Sequence, residues 1–373
     1  GAHRYGEHAA SIGFLLTDSR SLCFPEETLF FALKSGRNNG HDFIPDLYRR
    51  GVRNFVVDTL PENRETTYPD ANFLKVISPV EALQRLAERH RDEYSIPIVG
   101  ITGSNGKTIV KEWLFQLLSP SMAVTRSPRS YNSQIGVPLS VWLLSEQTQV
   151  GVFEAGISQP GEMAALRDII QPTVGVITNI GSAHQENFNT LDEKVEEKLK
   201  LFHDTDVIIY PADDPTIARC VAAGNYTGRH MAWSQKDPDA PLYISRIDKS
   251  GSETKISYIY NKGESQTYTL PFIDEASVEN SITCLAVCLT LGLAAERIDE
   301  GMANLEPVAM RLEVKQGQHG CTLINDSYNS DINSLDIALD FISRRPDHKG
   351  RRRTLILSDI PQSGLAKEQL YRE

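Results

Sequence analysis

An apolar run, Ile98-Val99-Gly100-Ile101, passes into Thr102-Gly103-Ser104-Asn105-Gly106-Lys107-Thr108 and directly on into an amphipathic stretch. Few segments constrain a chain more. Glycines let the backbone curl so that successive N–H groups face one oxyanion. A helix beginning there adds its positive end. Lys107 offers a mobile ammonium for terminal phosphates, and Thr108 a hydroxyl for Mg²⁺. The loop is shorter than the common G-x-x-x-x-G-K-[ST] form, because Ile101 stands where the first glycine would be. Gly103, Ser104, Asn105, Gly106, Lys107 and Thr108 are therefore expected to bind the phosphates of a nucleotide.

The surrounding rhythm fits. Apolar runs at Ile96–Thr102, Val150–Glu154, Val174–Asn179 and Val207–Tyr210 alternate with helical spacing at Lys107–Leu118, Met163–Ile170 and Leu191–Phe202. That pattern predicts an α/β fold with a central parallel sheet. Leu242–Ile247, Lys255–Tyr260 and Ser265–Leu270 alternate like antiparallel hairpins. Ile282–Ala295 predicts a buried helix, too short to span a bilayer. Upstream, Leu29–Leu33 and Asn54–Asp58 predict strands and Pro79–Arg91 a helix, giving a small α/β unit. Downstream, Thr322–Asn325 and Thr354–Ser358 predict strands flanking a helix at Ser334–Ile342. We expect three units: 1–93, 94–310 and an incomplete 311–373. A chain stopping at Glu373 is expected to be a fragment.

Composition excludes some classes. Of 373 residues, 38 are Lys or Arg and 49 Asp or Glu, so the formal balance is 38 − 49 = −11. This speaks for solubility and against a nucleic-acid surface. Five scattered cysteines do not make a disulfide framework. Cys284 and Cys288 lack the companions of a zinc site and are expected in the core. Residues 1–10 lack the apolar segment of a signal peptide. A cytoplasmic protein with no membrane insertion is expected.

Three groups downstream could serve the loop. Glu154 ends the strand Val150–Glu154, and a carboxylate there is well placed for Mg²⁺. His184 follows another strand end, but imidazole suits Mg²⁺ poorly, so ligand and ordinary histidine stay open. Lys198 lies on a helical stretch, where the residue alone reads as solvated.

Further strings stand in order along the chain: Asp18-Ser19-Arg20, Leu29–Lys34, Gly40–Ile44, Asn132–Leu139, Glu154–Met163, Asn179–His184, Met310–Glu313, Asp326–Asn329 and Leu355–Asp359. With Thr102–Thr108, they resemble the Mur ligase family over nearly the whole chain. The resemblance implies a three-domain fold: a small N-terminal α/β domain that binds a UDP-sugar, a central P-loop domain and a Rossmann-like C-terminal domain, here partial. The Glu154–Met163 and Asp326–Asn329 strings resemble the members that append D-alanyl-D-alanine. The implied activity is ATP-dependent, ADP-forming amide-bond formation between that dipeptide and a UDP-N-acetylmuramoyl tripeptide, in peptidoglycan precursor synthesis. Alternatives are a sibling ligase with another amino-acid substrate, or an ATPase or switch that makes no bond.

The resemblance also distributes roles. Lys107 would contact the β/γ-phosphates, and Thr108 and Glu154 one Mg²⁺. His184 and Lys198 would serve catalysis by helping to hold a second Mg²⁺, Lys198 as a carbamate. Asn280 would face the adenine, Asp326 the ribose and Arg311 the nucleotide. Asn132 would lie near the muramoyl-peptide end, with Ser19, Arg20 and Lys34 in the UDP-sugar pocket. Where the family often has His-Asn-x-x-Asn, this chain has Glu279-Asn280-Ser281-Ile282-Thr283. Some members are fused ahead of an alanine racemase; the early stop is compatible with such a parent, residues 1–373 carry no racemase lysine motif, and the question stays open. A monomer is expected.

Overall fold

A computed structural model describes residues 2–7, 9–36, 38–181, 187–224, 226–309, 311, 313–318, 321–327, 332–344 and 353–358. Its centre is a nine-stranded sheet. The order is Ser265–Leu270, Glu253–Tyr260, Leu242–Ser250, Arg229–Ser234, Val207–Pro211, Val174–Ile177, Ile98–Thr102, Val150–Glu154, Val124–Arg126. Neighbours from Val124–Arg126 through Leu242–Ser250 pair in parallel, and Glu253–Tyr260 and Ser265–Leu270, first in the order above, are each antiparallel to the strand beside them. The expected hairpins therefore extend the central sheet.

Parallel strands buried on both faces need apolar residues at every position. Val99, Ile101, Val152, Val174 and Val176 join one core cluster, under the helices Lys107–Leu118 and Glu275–Thr290. Ile98, Phe153, Ile177 and Ile208 join the opposite cluster, with Met163, Leu166, Val195 and Leu199. Successive residues of one strand thus feed opposite layers, as the pleat requires.

The N-terminal sheet runs His3–Tyr5, Asn72–Lys75, Asn54–Val57, Thr28–Phe31, Phe14–Leu16. Only His3–Tyr5 is antiparallel to its neighbour. The helix Pro79–Arg91 is as expected. Its Leu83 packs with Leu29, Phe31 and Val56, and its Ala87 joins the central core.

Two expectations need correction. The helix over Ile282–Ala295 is instead Glu275–Thr290, followed by a separate helix Ala295–Ala303. Gly292 adopts φ +78° between them. Its amide donates to Leu289 O (3.2 Å), and that of Leu293 to Cys288 O (3.0 Å). This is the Schellman pattern, which stops a helix however apolar the sequence around it. Thr354–Ser358 is not a strand: Ile356 is 91% exposed, with Leu355 and Leu357 also exposed. An apolar run becomes a strand only beside a partner and a face to bury, and the described residues supply neither.

Thr322–Asn325 pairs antiparallel with Glu313–Gln316, and the following helix spans Ile332–Arg344. Cys284 and Cys288 are fully buried, as expected. Among the described residues, no helix is long and apolar enough to cross a membrane.

Candidate active site

The strands Ile98–Thr102, Val150–Glu154 and Val174–Ile177 end side by side, and the candidate chemistry gathers at those tips. Gly103 (φ +142°) and Gly106 (φ +83°) turn the chain between the first strand and its helix. A β-carbon on Gly103 would lie 2.0 Å from Thr178 Oγ1, and one on Gly106 2.4 Å from Asn280 Oδ1. Conformation and close approach both demand glycine here. The loop is braced by the third strand's exit. Asn179 accepts from Ser104 N (2.8 Å) and, through Oδ1, from Asn105 N (2.9 Å). Thr178 Oγ1 donates to Asn105 O (2.6 Å). Lys107 folds back over the turn, donating to Gly103 O (2.8 Å) and Ser104 O (2.9 Å).

Glu154 is fully buried beside this loop. Its Oε2 accepts from Thr108 Oγ1 at 3.2 Å and Asn132 Nδ2 at 3.5 Å. Ser130 Oγ stands 3.1 Å from the same threonine hydroxyl. Oε1 of Glu154 has no hydrogen bond. The Lys111 ammonium lies 3.3 Å from it, in ion-pair range but without hydrogen-bond alignment. A buried carboxylate with a spare oxygen, beside two hydroxyls, is a hard-oxygen donor set that fits Mg²⁺.

Read from the residue alone, Lys198 was solvated, and this is wrong: it is 4% exposed and donates to Gly103 O at 3.2 Å. The helix Leu191–Leu199 turns this face inward, so Val195 and Leu199 enter the core with it. Burial pushes its amine well below the usual lysine range, and the Lys107 and Lys194 ammoniums push the same way. Lys194, also buried, donates to Gly181 O. Asn280 is buried against Gly106.

The remaining expected residues are dispersed. His184 lies outside the described residues. Arg311 follows the central unit, its amide donating to Val308 O (3.1 Å), and Asp326 follows the strand Thr322–Asn325. Lys34 lines a cavity of about 360 Å³ in the N-terminal unit, with Asn39, His41 and Tyr68. There Lys34 donates to Asp58 Oδ1 (2.7 Å), and His41 Nε2 lies 3.2 Å from that oxygen. Burial pushes the imidazole down despite the nearby carboxylate. Ser19 and Arg20 do not line this cavity, and Arg20 pairs with Asp18 at 2.7 Å.

Sequence reasoning missed Lys111, Lys194, Ser130, Thr178 and the bracing role of Asn179. Two carried a signal: Lys111 follows Lys107, and Lys194 precedes Lys198, by one helical turn.

A glycine-rich turn at the carboxyl edge of a parallel sheet, with lysine, threonine and a buried acid converging on it, defines a P-loop protein that uses a nucleoside triphosphate. Residues 101–288, half of the chain, match the Mur ligase middle domain, and residues 11–91 match the Mur ligase family catalytic domain. The chain belongs to the Mur ligase family. It is similar to the UDP-N-acetylmuramoyl-tripeptide–D-alanyl-D-alanine ligase of Bacillus subtilis, 28% identical over 96% of this chain and 75% of that one. The same ligase of Treponema pallidum is 29% identical, over 95% and 76%. Among solved structures, MurF from Acinetobacter baumannii superposes with TM-score 0.79 at 26% identity, over 89% of this chain and 71% of that one. MurF ligase from Thermotoga maritima in complex with ADP gives 0.76 at 26% identity, over 89% and 75%. The fold is therefore Mur ligase-like, and the nucleotide is ATP.

Proposed function

We propose that this protein is an ATP-dependent ligase joining D-alanyl-D-alanine to the terminal carboxylate of a UDP-N-acetylmuramoyl tripeptide in the cytoplasm, as a monomer. The observation that carries the chemistry is the convergence of Lys107, Thr108 and buried Glu154 at neighbouring strand tips. Similarity to ligases of that name along most of the chain carries the substrates. In this reading residues 1–93 hold the UDP-sugar end through Ser19, Arg20 and Lys34. Residues 94–310 hold Mg-ATP, and residues 311–373 bring Arg311 and Asp326 to the nucleotide.

The peptide carboxylate attacks the γ-phosphorus, and the bond to the β–γ bridging oxygen breaks, leaving with ADP. The amine of the dipeptide attacks the resulting acyl phosphate. The tetrahedral intermediate loses phosphate, and the amide forms with loss of a proton. Loop N–H groups and Lys107 stabilise the charge spread over the transferring phosphoryl group. Asn132 orients the muramoyl-peptide end beside Glu154. Asn280, against Gly106, positions the base. Mg²⁺, when bound by Thr108 and Glu154, neutralises phosphate charge. His184 and Lys198 would hold a second ion.

Lys198 suits that role only if modified, because an ammonium repels a cation. Its burial supplies the means, since a neutral amine can add to carbon dioxide, forming an N–C bond and releasing a proton. Lys198→Met is expected to lose activity, at least tenfold, yet to raise Tm at pH 7 relative to wild type kept free of carbon dioxide, in which Lys198 is the unmodified amine. The sign follows from proton counting. Between the depressed folded pKa and the ordinary 10.5, the unfolded state binds the extra proton, so stability rises with pH. Methionine removes that slope. Thermal melts from pH 7 to 10 check it; a Met variant less stable at every pH would refute it. Short carboxylic acids should restore activity to Lys198→Ala if a carbamate is needed.

The reading as a whole is tested by supplying the tripeptide nucleotide, D-Ala-D-Ala and Mg-ATP, and weighing the product. Pentapeptide formation supports it. ATP turnover that ignores both acceptors would favour a non-ligating ATPase.

A further inference from the structure

Beside the phosphate loop, the turn Pro128–Tyr131 closes through Tyr131 N donating to Pro128 O at 3.1 Å. Its second residue, Arg129, has φ +49°. Glycine, asparagine or aspartate fills such a position at least strain, and a long β-carbon-bearing side chain is disfavoured. Among the described residues, the other non-glycine residues with positive φ sit at ordinary element ends. Asn63 begins a helix, Gln171 closes one, and Asn261 and Lys262 form a hairpin turn.

The turn is also clamped. Fully buried Lys111 donates to Ser127 O (2.9 Å) and to Arg129 O, while its ammonium faces Glu154. Ser127 Oγ accepts from Glu154 N at 3.2 Å. On the far side of Arg129, Ser130 Oγ lies 3.1 Å from Thr108 Oγ1. The strained residue is therefore fixed next to Ser130, whose hydroxyl meets that of Thr108. Arg129 is exposed, and its guanidinium has no hydrogen bond, ion pair or ring contact among the described residues. Arg126, in the preceding strand, pairs with Glu112 at 3.0 Å and covers the Phe115 ring.

We infer that Arg129 is a further binding residue of the active site, its guanidinium taking an oxyanion of one of the two reactants that meet there: the γ-phosphoryl group of ATP or the carboxylate it activates. This rests on the ligase reading above. The planar fork of arginine matches both oxyanions. Local strain that the surroundings enforce is a recurrent mark of such sites. The Lys111 clamp fixes the backbone of the turn, so only the side chain of Arg129 is left to be ordered when a ligand binds.

Backbone and charge can be separated by substitution. Arg129→Gly keeps the turn conformation and removes the cation, whereas Arg129→Lys keeps a cation on a β-carbon. The readouts are calorimetric binding of a non-hydrolysable ATP analogue, calorimetric binding of the UDP-muramoyl tripeptide, steady-state ligation and Tm. Arg129→Gly should hold or raise Tm while weakening one ligand at least tenfold. Weaker analogue binding assigns the phosphoryl group, and weaker tripeptide binding the carboxylate. Arg129→Lys should recover part of the lost affinity. Arg129→Gly with wild-type affinity for both ligands would overturn the inference, because the residue would then serve only the turn. If the wild type binds both ligands but ligates nothing, the ligase reading fails, and the binding arms still decide Arg129.

Discussion

Lys107→Ala is expected to lower kcat/KM by on the order of 10³-fold, the scale set by removing a preorganised charge from a phosphoryl-transfer site. The folded protein should barely notice. Lys107 is half-buried, and its bonds to Gly103 O and Ser104 O close over the loop itself. Losing two such bonds at a partly solvated site costs about 1 kcal/mol. Both carbonyls belong to the loop that is proposed to receive phosphate. The ammonium must therefore exchange those bonds for phosphate oxygens, and alanine cannot. Removing this charge also relieves Lys198, whose amine Lys107 helps hold low, so the Lys198 pKa should climb in the variant. Single-turnover rates, analogue binding and Tm together check the prediction. Wild-type turnover in the alanine variant would remove the phosphate-loop assignment.

How far the residues alone lead is visible at this loop. Strand, turn and helix were legible from Ile98 to Leu118 because each level agreed: a continuous apolar run, glycines where φ must be positive, and helical spacing after Lys107. The Val150–Glu154 and Ser265–Leu270 strands emerge with their expected limits for the same reason. Two central strands gave no such signal. Val124–Arg126 is three residues long at a sheet edge, and Arg229–Ser234 begins with Arg229 and His230. The helix expected at 282–295 starts late, because the polar first turns from Glu275 carry no apolar run, and ends late, because hydropathy outweighs one glycine.

At the site, what could be read was chemistry already carried by residue type, as for Glu154. What could not be read was burial. Lys198 and Lys194 sit on a helix full of charges, and only the packing of Val195 and Leu199 shows which face turns inward. The turn strain at Arg129 leaves no mark in a linear sequence, since backbone conformation there is enforced from outside. The brace from Thr178 and Asn179 needed the sheet order, which places Val174–Ile177 beside Ile98–Thr102.

Lys111 shows how strongly such hidden placement can count. Lys111→Met is expected to destabilise the protein by about 3–5 kcal/mol, the cost of stranding a buried charge. In a chain of this size that is roughly 4–6 °C in Tm. Methionine matches the aliphatic stem, so packing is nearly conserved and the loss is electrostatic. Four groups lose a partner at once. Glu154, fully buried, loses the ammonium at 3.3 Å. Glu112 loses the one at 2.8 Å. The carbonyls of Ser127 and Arg129 lose their donor.

The pH dependence should change in a defined way. In the wild type, burial pushes the Glu112 carboxyl up, but hydrogen bonds from Lys111 and Arg126 outweigh it and hold the group low. That contribution is present above the ordinary glutamate pKa and is lost as pH falls. Without Lys111, one of the hydrogen bonds that hold the Glu112 carboxyl low is gone, so the stability it contributes above the ordinary glutamate pKa shrinks, and the variant's deficit should widen as pH rises through that range. Adding Glu154→Gln to Lys111→Met should recover part of the loss, because the uncompensated charge goes with it. Urea melts of both single variants, the double variant and the wild type close this cycle. A lone Lys111→Met within about 0.5 kcal/mol of wild type, or a double variant strictly additive, would mean the ammonium is not what holds Glu154 beside Thr108.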